Sequence, residues 1–369
     1  MQPVLNEQQA LLRDSAVRLC RELGGPKRAR YLRDSGVEFD RDAWEQVVKA
    51  GWLAAPVPEQ AGGLGLGMFE LSLAMEESGR QLLAVPLCEA SAAAWAIAHA
   101  DKSAAEFVGP VVGGATLLVP ALPQLGWGAG EAAPLLASFT GNSVRLDGKV
   151  SFVPYAGCAE AFLVLGADAR GDALLCVVPR TASGLMLSTA AQVDGSTSSE
   201  LVFKDVAVEK DGVIARSGPA KQLASRVQEL LALGASAALV GVANAALDMT
   251  LEYIKVRQQF GKPLGSFQAL QHRAADRFVD IELNRSLVYR VFSAWDAGQH
   301  HPAMVSAAKA RSTRCALETT RTALQLYGAI GYTDEHDIGL YYKHAIVLAA
   351  RYGNESNHTT RFSRLTHDD

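Results

Sequence analysis

The sequence predicts a multidomain α+β protein. It has an N-terminal α-helical domain over residues 1–113, a middle antiparallel β domain over 114–217 and a C-terminal four-helix bundle over 218–369. Three observations predict this. Apolar residues recur with helical period in the first segment, lose it in the second and regain it in the third. Turn residues recur at short intervals only in the middle segment. In the last third, Pro219, Pro263 and Pro302 bracket long proline-free runs, which permit long helices because proline breaks a helix interior.

The elements follow in order. Asn6-Glu7 precedes an apolar stripe at Leu11, Leu12, Val17 and Leu19, and Asp40 is placed to cap a helix through Trp44, Val47 and Val48 to Gly51. Glu70–Leu83 repeats the pattern, and a Pro- and Gly-rich turn from Pro56 to Gly67 precedes it. Short apolar runs then read as strands: 117–119, 161–165, 173–178 and 201–203. Asp147-Gly148, between Val144-Arg145-Leu146 and Lys149–Phe152, reads as the two-residue turn of a hairpin. The run from Pro219 to Pro263 allows one helix approaching about 60 Å. A second long segment runs to Pro302, and at least two more helices fit beyond it. Long helices joined by short turns give an antiparallel bundle.

Composition narrows the function classes. The chain has 369 residues, 49% hydrophobic and 20% charged, with net charge −4. No basic block offers the clustered Lys and Arg that nucleic acid needs. The five cysteines have no C-x-x-C or His spacing, so reduced thiols in a cytoplasmic protein are expected, with no disulfide framework and no metal site. No uninterrupted apolar run reaches the ~18 residues of a membrane span, and the first residues lack the apolar core of a signal peptide.

Gly63-Leu64-Gly65 is a poor dinucleotide fingerprint, because helix precedes it and position 68 is Met. It reads as a loop between helices. More informative are Arg257-Gln258-Gln259-Phe260-Gly261-Lys262-Pro263 with Phe267-Gln268, and Gln325-Leu326-Tyr327-Gly328-Ala329-Ile330-Gly331-Tyr332. Each alone could be a helix end. Arg257 could bond a diphosphate through several donors and stays charged at any working pH, and the glycines allow close backbone approach.

Together with the Trp52–Gly65 signature and the domain order, these two segments resemble the acyl-CoA dehydrogenase family over nearly the whole chain. The resemblance implies the family fold and FAD-dependent α,β-desaturation of an acyl-CoA thioester. It also implies a homo- or hetero-tetramer and an electron-transfer acceptor protein. By the same resemblance, Arg257 holds the pyrophosphate of a neighbouring subunit's FAD. Phe260, Gly261, Gln268, Gln325, Gly328 and Ala329 line the same nucleotide, with Ala329 in place of a family glycine.

The resemblance fails in two places. Counting the family's spacing forward from Gln325 brings its catalytic glutamate onto Tyr352, followed by Gly353 as in the family. Tyrosine, with a pKa of about 10, is a poor base near neutrality. Glu355 and His358 do not fall where the family puts a base. Relatives resembling isovaleryl-CoA dehydrogenase carry the base on the first bundle helix. That count lands on Leu231, and Glu229 lies about 200° away around the helix, so Glu229 is the alternative base. The second failure is the subunit's own flavin wall. The segment Gly126-Trp127-Gly128-Ala129-Gly130 lacks the family's pattern, Phe152 stands where a tryptophan stacks, and Pro154 stands where a Ser or Thr hydroxyl bonds the flavin.

The expectation is therefore a subunit of a heteromeric dehydrogenase, similar to the paired subunits that act on steroid side-chain CoA esters. It keeps the half-site it donates and has lost its own base. A self-sufficient homotetramer using Glu229, or a non-enzymatic scaffold of the same fold, are the alternatives.

Overall fold

The computed structural model describes residues 5–101, 104–123, 134–140 and 143–367. The chain divides into two compact units. The first comprises Met1–Asp34, Met68–Leu83 and Ala232–Asp369, and the second Ser35–Gly67 and Ala84–Leu231.

The first unit is helical. It contains α1 (Glu7–Leu23), α2 (Pro26–Asp34), α4 (Met68–Arg80), the C-terminal part of α7 (Ser217–Val256), α8 (Gln268–Asp296), α9 (Pro302–Tyr327), α10 (Ile338–Ala350) and α11 (Glu355–His367). Asn6 caps α1 through a reciprocal pair with Gln9, which satisfies two backbone donors at once. Pro302 opens α9, where its missing N–H costs nothing. The N-terminus of α4 is capped from a distance, since Asp296 accepts hydrogen bonds from the Met68 and Phe69 amides at 2.9 and 2.8 Å. Between α4, α7 and α8 lies a buried polar knot. Glu76 accepts from Arg285 Nε at 2.9 Å and from the Tyr289 hydroxyl at 2.9 Å, while Arg285 also donates to Asn244 Oδ1 at 2.6 Å.

The second unit contains α3 (Arg41–Lys49), capped by Asp40, α5 (Leu87–Ala98), α6 (Ala105–Val112), an eight-stranded sheet and the start of α7. The strands are β1 (Leu118–Ala121), β2 (Leu135–Thr140), β3 (Ser143–Pro154), β4 (Ala161–Ala167), β5 (Ala173–Pro179), β6 (Leu185–Ala191), β7 (Thr197–Glu209) and β8 (Val213–Arg216). Their order is β6-β7-β3-β2-β4-β5-β8, with β1 beside β4. The sheet is mainly antiparallel, as expected, but β1 and β2 both run parallel to β4.

The hairpin expected at Asp147-Gly148 is not there. Both residues lie inside the twelve-residue strand β3, which pairs with β2 on one side and β7 on the other. The turn chemistry serves a bulge instead. Register against β7 shifts between Leu146 and Gly148, and the Asp147 carboxylate accepts from the Asp205 amide at 2.9 Å. Two-sided pairing overrides the local turn preference. The connection between β2 and β3 lies outside the described residues.

Helix α7 is long and apolar enough to cross a membrane by composition, but its most apolar stretch is mostly buried in protein, as expected of a core helix. The glycine-rich loop after Pro56 follows no strand. It is tied to itself, Leu64 N donating to Ala54 O and Gly65 N to Val57 O, both at 2.9 Å, which makes it a structural loop.

Candidate functional site

In the first unit, α7 ends at Val256 and the chain reverses through a tight hairpin of β9 (Gln258–Gln259) and β10 (Lys262–Pro263). Lys262 pairs with Gln259, leaving Phe260 and Gly261 as the two turn residues, with φ of 53° and 79°. Positive φ at both positions is what a type I′ turn requires. Gly261 adopts it freely, whereas a bulky residue does so only at a cost. Phe260 is nevertheless 90% exposed, held only edge-on against Phe267 at 6.2 Å. Arg257, beside it, is exposed. Its amide and carbonyl are used by Tyr253 O and Leu264 N, but among the described residues no carboxylate lies within ion-pair reach of its guanidinium. Gln268 opens α8 and is exposed.

The second motif meets the first through aromatic stacking. Tyr327 packs on Tyr253 with centroids 4.2 Å apart, and His336 packs on Tyr327 at 4.2 Å. The Tyr327 hydroxyl donates to Met249 O at 2.8 Å, and burial pushes its pKa up to about 12. His336 Nδ1 accepts from the Ile338 amide at 3.1 Å, and burial lowers its pKa. This stack fixes the end of α9 against the end of α7. Gln325 and Ala329 are exposed, and Gly328 adopts φ 67°. A Cβ at Gly261 or Gly328 would meet nothing within 4 Å, so the space beside both is open. An unpaired guanidinium, an exposed ring and open backbone suit a diphosphate-bearing aromatic ligand supplied from outside the chain.

Tyr352 lies in the turn between α10 and α11, 8% exposed, with φ 59°, followed by Gly353 at φ 96°. Its carbonyl accepts from His358 Nε2 at 2.8 Å. His358 is buried, and burial, then the nearby Lys309, lowers its pKa to about 4. Glu355 is engaged by Arg314, whose Nε lies 2.8 Å from Glu355 Oε1. Neither Glu355 nor His358 is therefore free to act as a base. Glu229 is 1% exposed on α7.

In the second unit, Phe152 is 43% exposed at φ 60°, inside the β3 irregularity between Val150 and Val153. Pro154 pairs with Ser198 on β7. The Ser198 hydroxyl, like that of Thr197, is buried with no hydrogen-bond partner among the described residues. It is enclosed in protein, so it presents no donor in place of the one Pro154 lacks. Among the described residues, position 152 offers an aromatic ring and position 154 no hydroxyl. Residues 126–130 lie outside the described residues.

Sequence reasoning missed Lys309, which is completely buried on α9. Its Nζ donates to Leu348 O, Ala349 O and Gly353 O at 3.1, 3.2 and 3.0 Å and lies 3.2 Å from Thr313 Oγ1. Helical spacing carried a signal. Val305, Ala308, Ser312 and Ala316 form the buried stripe, and Lys309 falls on it.

A helical segment, a β-sheet unit and a helical bundle whose first helix ends in an arginine-bearing turn follow one another along the chain. The acyl-CoA dehydrogenase N-terminal domain family matches residues 6–104, and the acyl-CoA dehydrogenase C-terminal domain family matches 229–363. The chain belongs to the acyl-CoA dehydrogenase family. It is 28% identical to acyl-CoA dehydrogenase FadE27 of Mycobacterium tuberculosis, covering 92% of this chain and 91% of that one. It is also 28% identical to acyl-CoA dehydrogenase IpdE2 of Mycolicibacterium smegmatis, covering 92% and 93%. Among solved structures, it resembles the ChsE4-ChsE5 complex of Mycobacterium tuberculosis with TM-score 0.91 and 26% identity, covering 100% of both chains.

Proposed function

We propose that this chain is the non-catalytic or weakly catalytic subunit of a heteromeric acyl-CoA dehydrogenase, donating FAD contacts to a partner subunit. The observation that carries this reading is the split between two sets of residues. Arg257, Phe260, Gln268 and Gln325 are exposed, and a Cβ at Gly328 would meet nothing within 4 Å. The residues that would hold and use this chain's own flavin ring are altered at Pro154 and Tyr352. A half-site that is only donated is useful only beside a different subunit that keeps the other half.

When bound, FAD supplies the oxidant that takes hydride from the acyl Cβ. In this chain, Arg257 would neutralise the diphosphate, Phe260 would cover the nucleotide, and the side chains of Gln268 and Gln325 would supply polar contacts. Position 352 presents a phenol in place of the family's carboxylate, so taking the α-proton falls to the partner. Val279 and Leu283, one turn apart on α8, and Phe278 beside them are exposed apolar side chains, which supports association with another subunit. The likeness to the ChsE4-ChsE5 complex supports a partner of the same fold. The electron acceptor would be an electron-transfer protein, as in the family.

The decisive experiment is the visible spectrum of the chain purified alone, and again after co-purification with a second dehydrogenase subunit. A colourless lone chain that gains about one FAD per two chains with the partner, as half-site donation requires, is the expected result. A yellow lone chain carrying one FAD each would overturn the reading. It would favour the self-sufficient alternative with Glu229 as base, which loss of activity in Glu229→Gln would then test.

A further inference from the structure

The turn that carries residue 352 is held by two buried basic side chains, and both grip main-chain oxygens. Lys309 Nζ reaches the Leu348 and Ala349 carbonyls at the end of α10, and then the Gly353 carbonyl beyond the turn. Terminal carbonyls of a helix lack intrahelical partners, so one ammonium satisfies both the helix end and the turn. On the other side, His358 Nε2 donates to the Tyr352 carbonyl. A carbonyl can only accept, so the proton sits on Nε2, and Nδ1 accepts the Ser306 hydroxyl at 3.3 Å. Arg361 Nη1 in turn donates to Ser306 Oγ at 3.0 Å.

Three further features show a built arrangement. Among the described residues no carboxylate lies within ion-pair distance of Lys309. Burying a lysine against neutral oxygens alone is expensive. Tyr352 is held at positive φ, which a side chain of that size rarely adopts. A Cβ at Gly353 would come within 2.7 Å of His358 Nε2, so the close approach of that ring requires glycine there.

We propose that Lys309 and His358 are positioning residues for position 352. They lock the Tyr352-Gly353 turn through its own carbonyl oxygens, so the turn keeps one conformation whatever side chain stands at 352. This rests on the reading that Tyr352 occupies the place of the base. It adds that the apparatus delivering a side chain to that place is intact although the carboxylate is gone. At this turn, the loss is then confined to one side chain.

The test has two arms on the full chain. In the first, hydrogen exchange is followed by mass spectrometry in Lys309→Met, His358→Leu and His358→Gln. Lys309→Met and His358→Leu are expected to speed exchange in the 350–358 segment by about tenfold or more, with α8 unchanged, as local release of a turn predicts. His358→Gln keeps an amide donor and is expected to restore protection. Unchanged exchange in that segment, or a uniform rise across the helical unit, overturns the proposal. If Lys309→Met does not fold, the His358 pair decides alone.

In the second arm, Pro154→Thr and Pro154→Thr/Tyr352→Glu are each reconstituted with excess FAD to equal flavin content and mixed anaerobically with octanoyl-CoA. The α-proton passes to the introduced carboxylate, and the hydride from Cβ passes to oxidised flavin, bleaching its visible band. Bleaching per bound flavin that exceeds that of Pro154→Thr and is lost again with Lys309→Met is expected. If the first arm succeeds and this gain is absent, the positioning role stands and the reading of position 352 as the base position fails.

Discussion

The titration of Lys309 can be read through stability. The perturbation is pH, and the control is Lys309→Met. Burial pushes the Lys309 ammonium down to about 7, against about 10.4 in an unfolded chain. The groups in contact with it are Thr313 on its own helix and the Leu348, Ala349 and Gly353 carbonyls, with His358 nearby. None is a carboxylate that would hold the charge. Between these two pKa values the unfolded chain binds a proton that the native chain does not. Stability contributed by this group therefore rises with pH, approaching about 1.4 kcal/mol per pH unit.

From pH 7 to 8.5 the integrated gain is about 1.5 kcal/mol, because Lys309 is still half-protonated at the start. Buried thiols work in the opposite direction. Burial raises the pKa of Cys20, Cys158, Cys176 and Cys315, so their contribution falls as unfolded-chain thiols begin to ionise. That contribution is common to wild type and Lys309→Met and cancels in the difference. Urea unfolding at fixed protein concentration across this range, fitted by linear extrapolation, gives the difference directly. Wild type should gain on the variant by about 1.5 kcal/mol from pH 7 to 8.5. A difference constant to within about 0.5 kcal/mol would show that Lys309 stays charged in the fold, and the argument from burial against neutral oxygens would be wrong.

Other expectations follow from the same geometry. His358 should act at lower pH: with its pKa lowered to about 4, stability should fall as pH drops below about 6.5, and His358→Gln should flatten that fall in urea unfolding. Glu76→Ala strips the partner from Arg285 and the Tyr289 hydroxyl at once, and should cost about 3–5 kcal/mol in unfolding free energy. Arg257→Gln should leave stability within about 0.5 kcal/mol but weaken FAD retention by the assembled complex about tenfold or more, measured as flavin per polypeptide. Phe260→Asn relieves a left-handed backbone cost of about 1–2 kcal/mol and forfeits an aromatic pair of about 0.5–1.5 kcal/mol. It should leave the lone chain neutral to about 1 kcal/mol more stable, while reducing flavin retention.

Legibility in the sequence followed the range of the interaction. Asn6 and Asp40 act on amides three residues away, so the starts of α1 and α3 were readable. Pro219, Pro263 and Pro302 bounded α7, α8 and α9 for the same reason. Asp147-Gly148 failed because its conformation is set by β2 and β7, strands that no local signal brings to its sides. In the candidate site, Arg257 and Gln325 were readable as motifs, but the Tyr253–Tyr327–His336 stack that joins them was not. Lys309 was the hardest. A lysine is read as a solvated charge, and only its place on the stripe of Val305, Ala308, Ser312 and Ala316 argues otherwise.

The same distinction explains how a base could be lost without loss of the fold. At position 352 the surroundings grip the carbonyl of Tyr352 and the carbonyl of Gly353, and neither contact depends on the side chain. Exchange at 352 therefore leaves both of these main-chain contacts in place. Gly353 has no such freedom, because both its positive φ and the His358 ring exclude a Cβ. That asymmetry accounts for a motif in which the glycine persists beside an altered neighbour. At position 154 the logic runs the other way. Proline removes a donor, and the hydroxyl across the strand, Ser198, is buried with no partner among the described residues. Adding a hydroxyl at 154 would leave that buried hydroxyl in place, so Pro154→Thr and Tyr352→Glu should act independently. The first should alter flavin retention by the lone chain, and the second should alter proton abstraction from the acyl-CoA. A double variant whose flavin content differs from that of Pro154→Thr alone would show that the two altered positions are coupled and that this division is wrong.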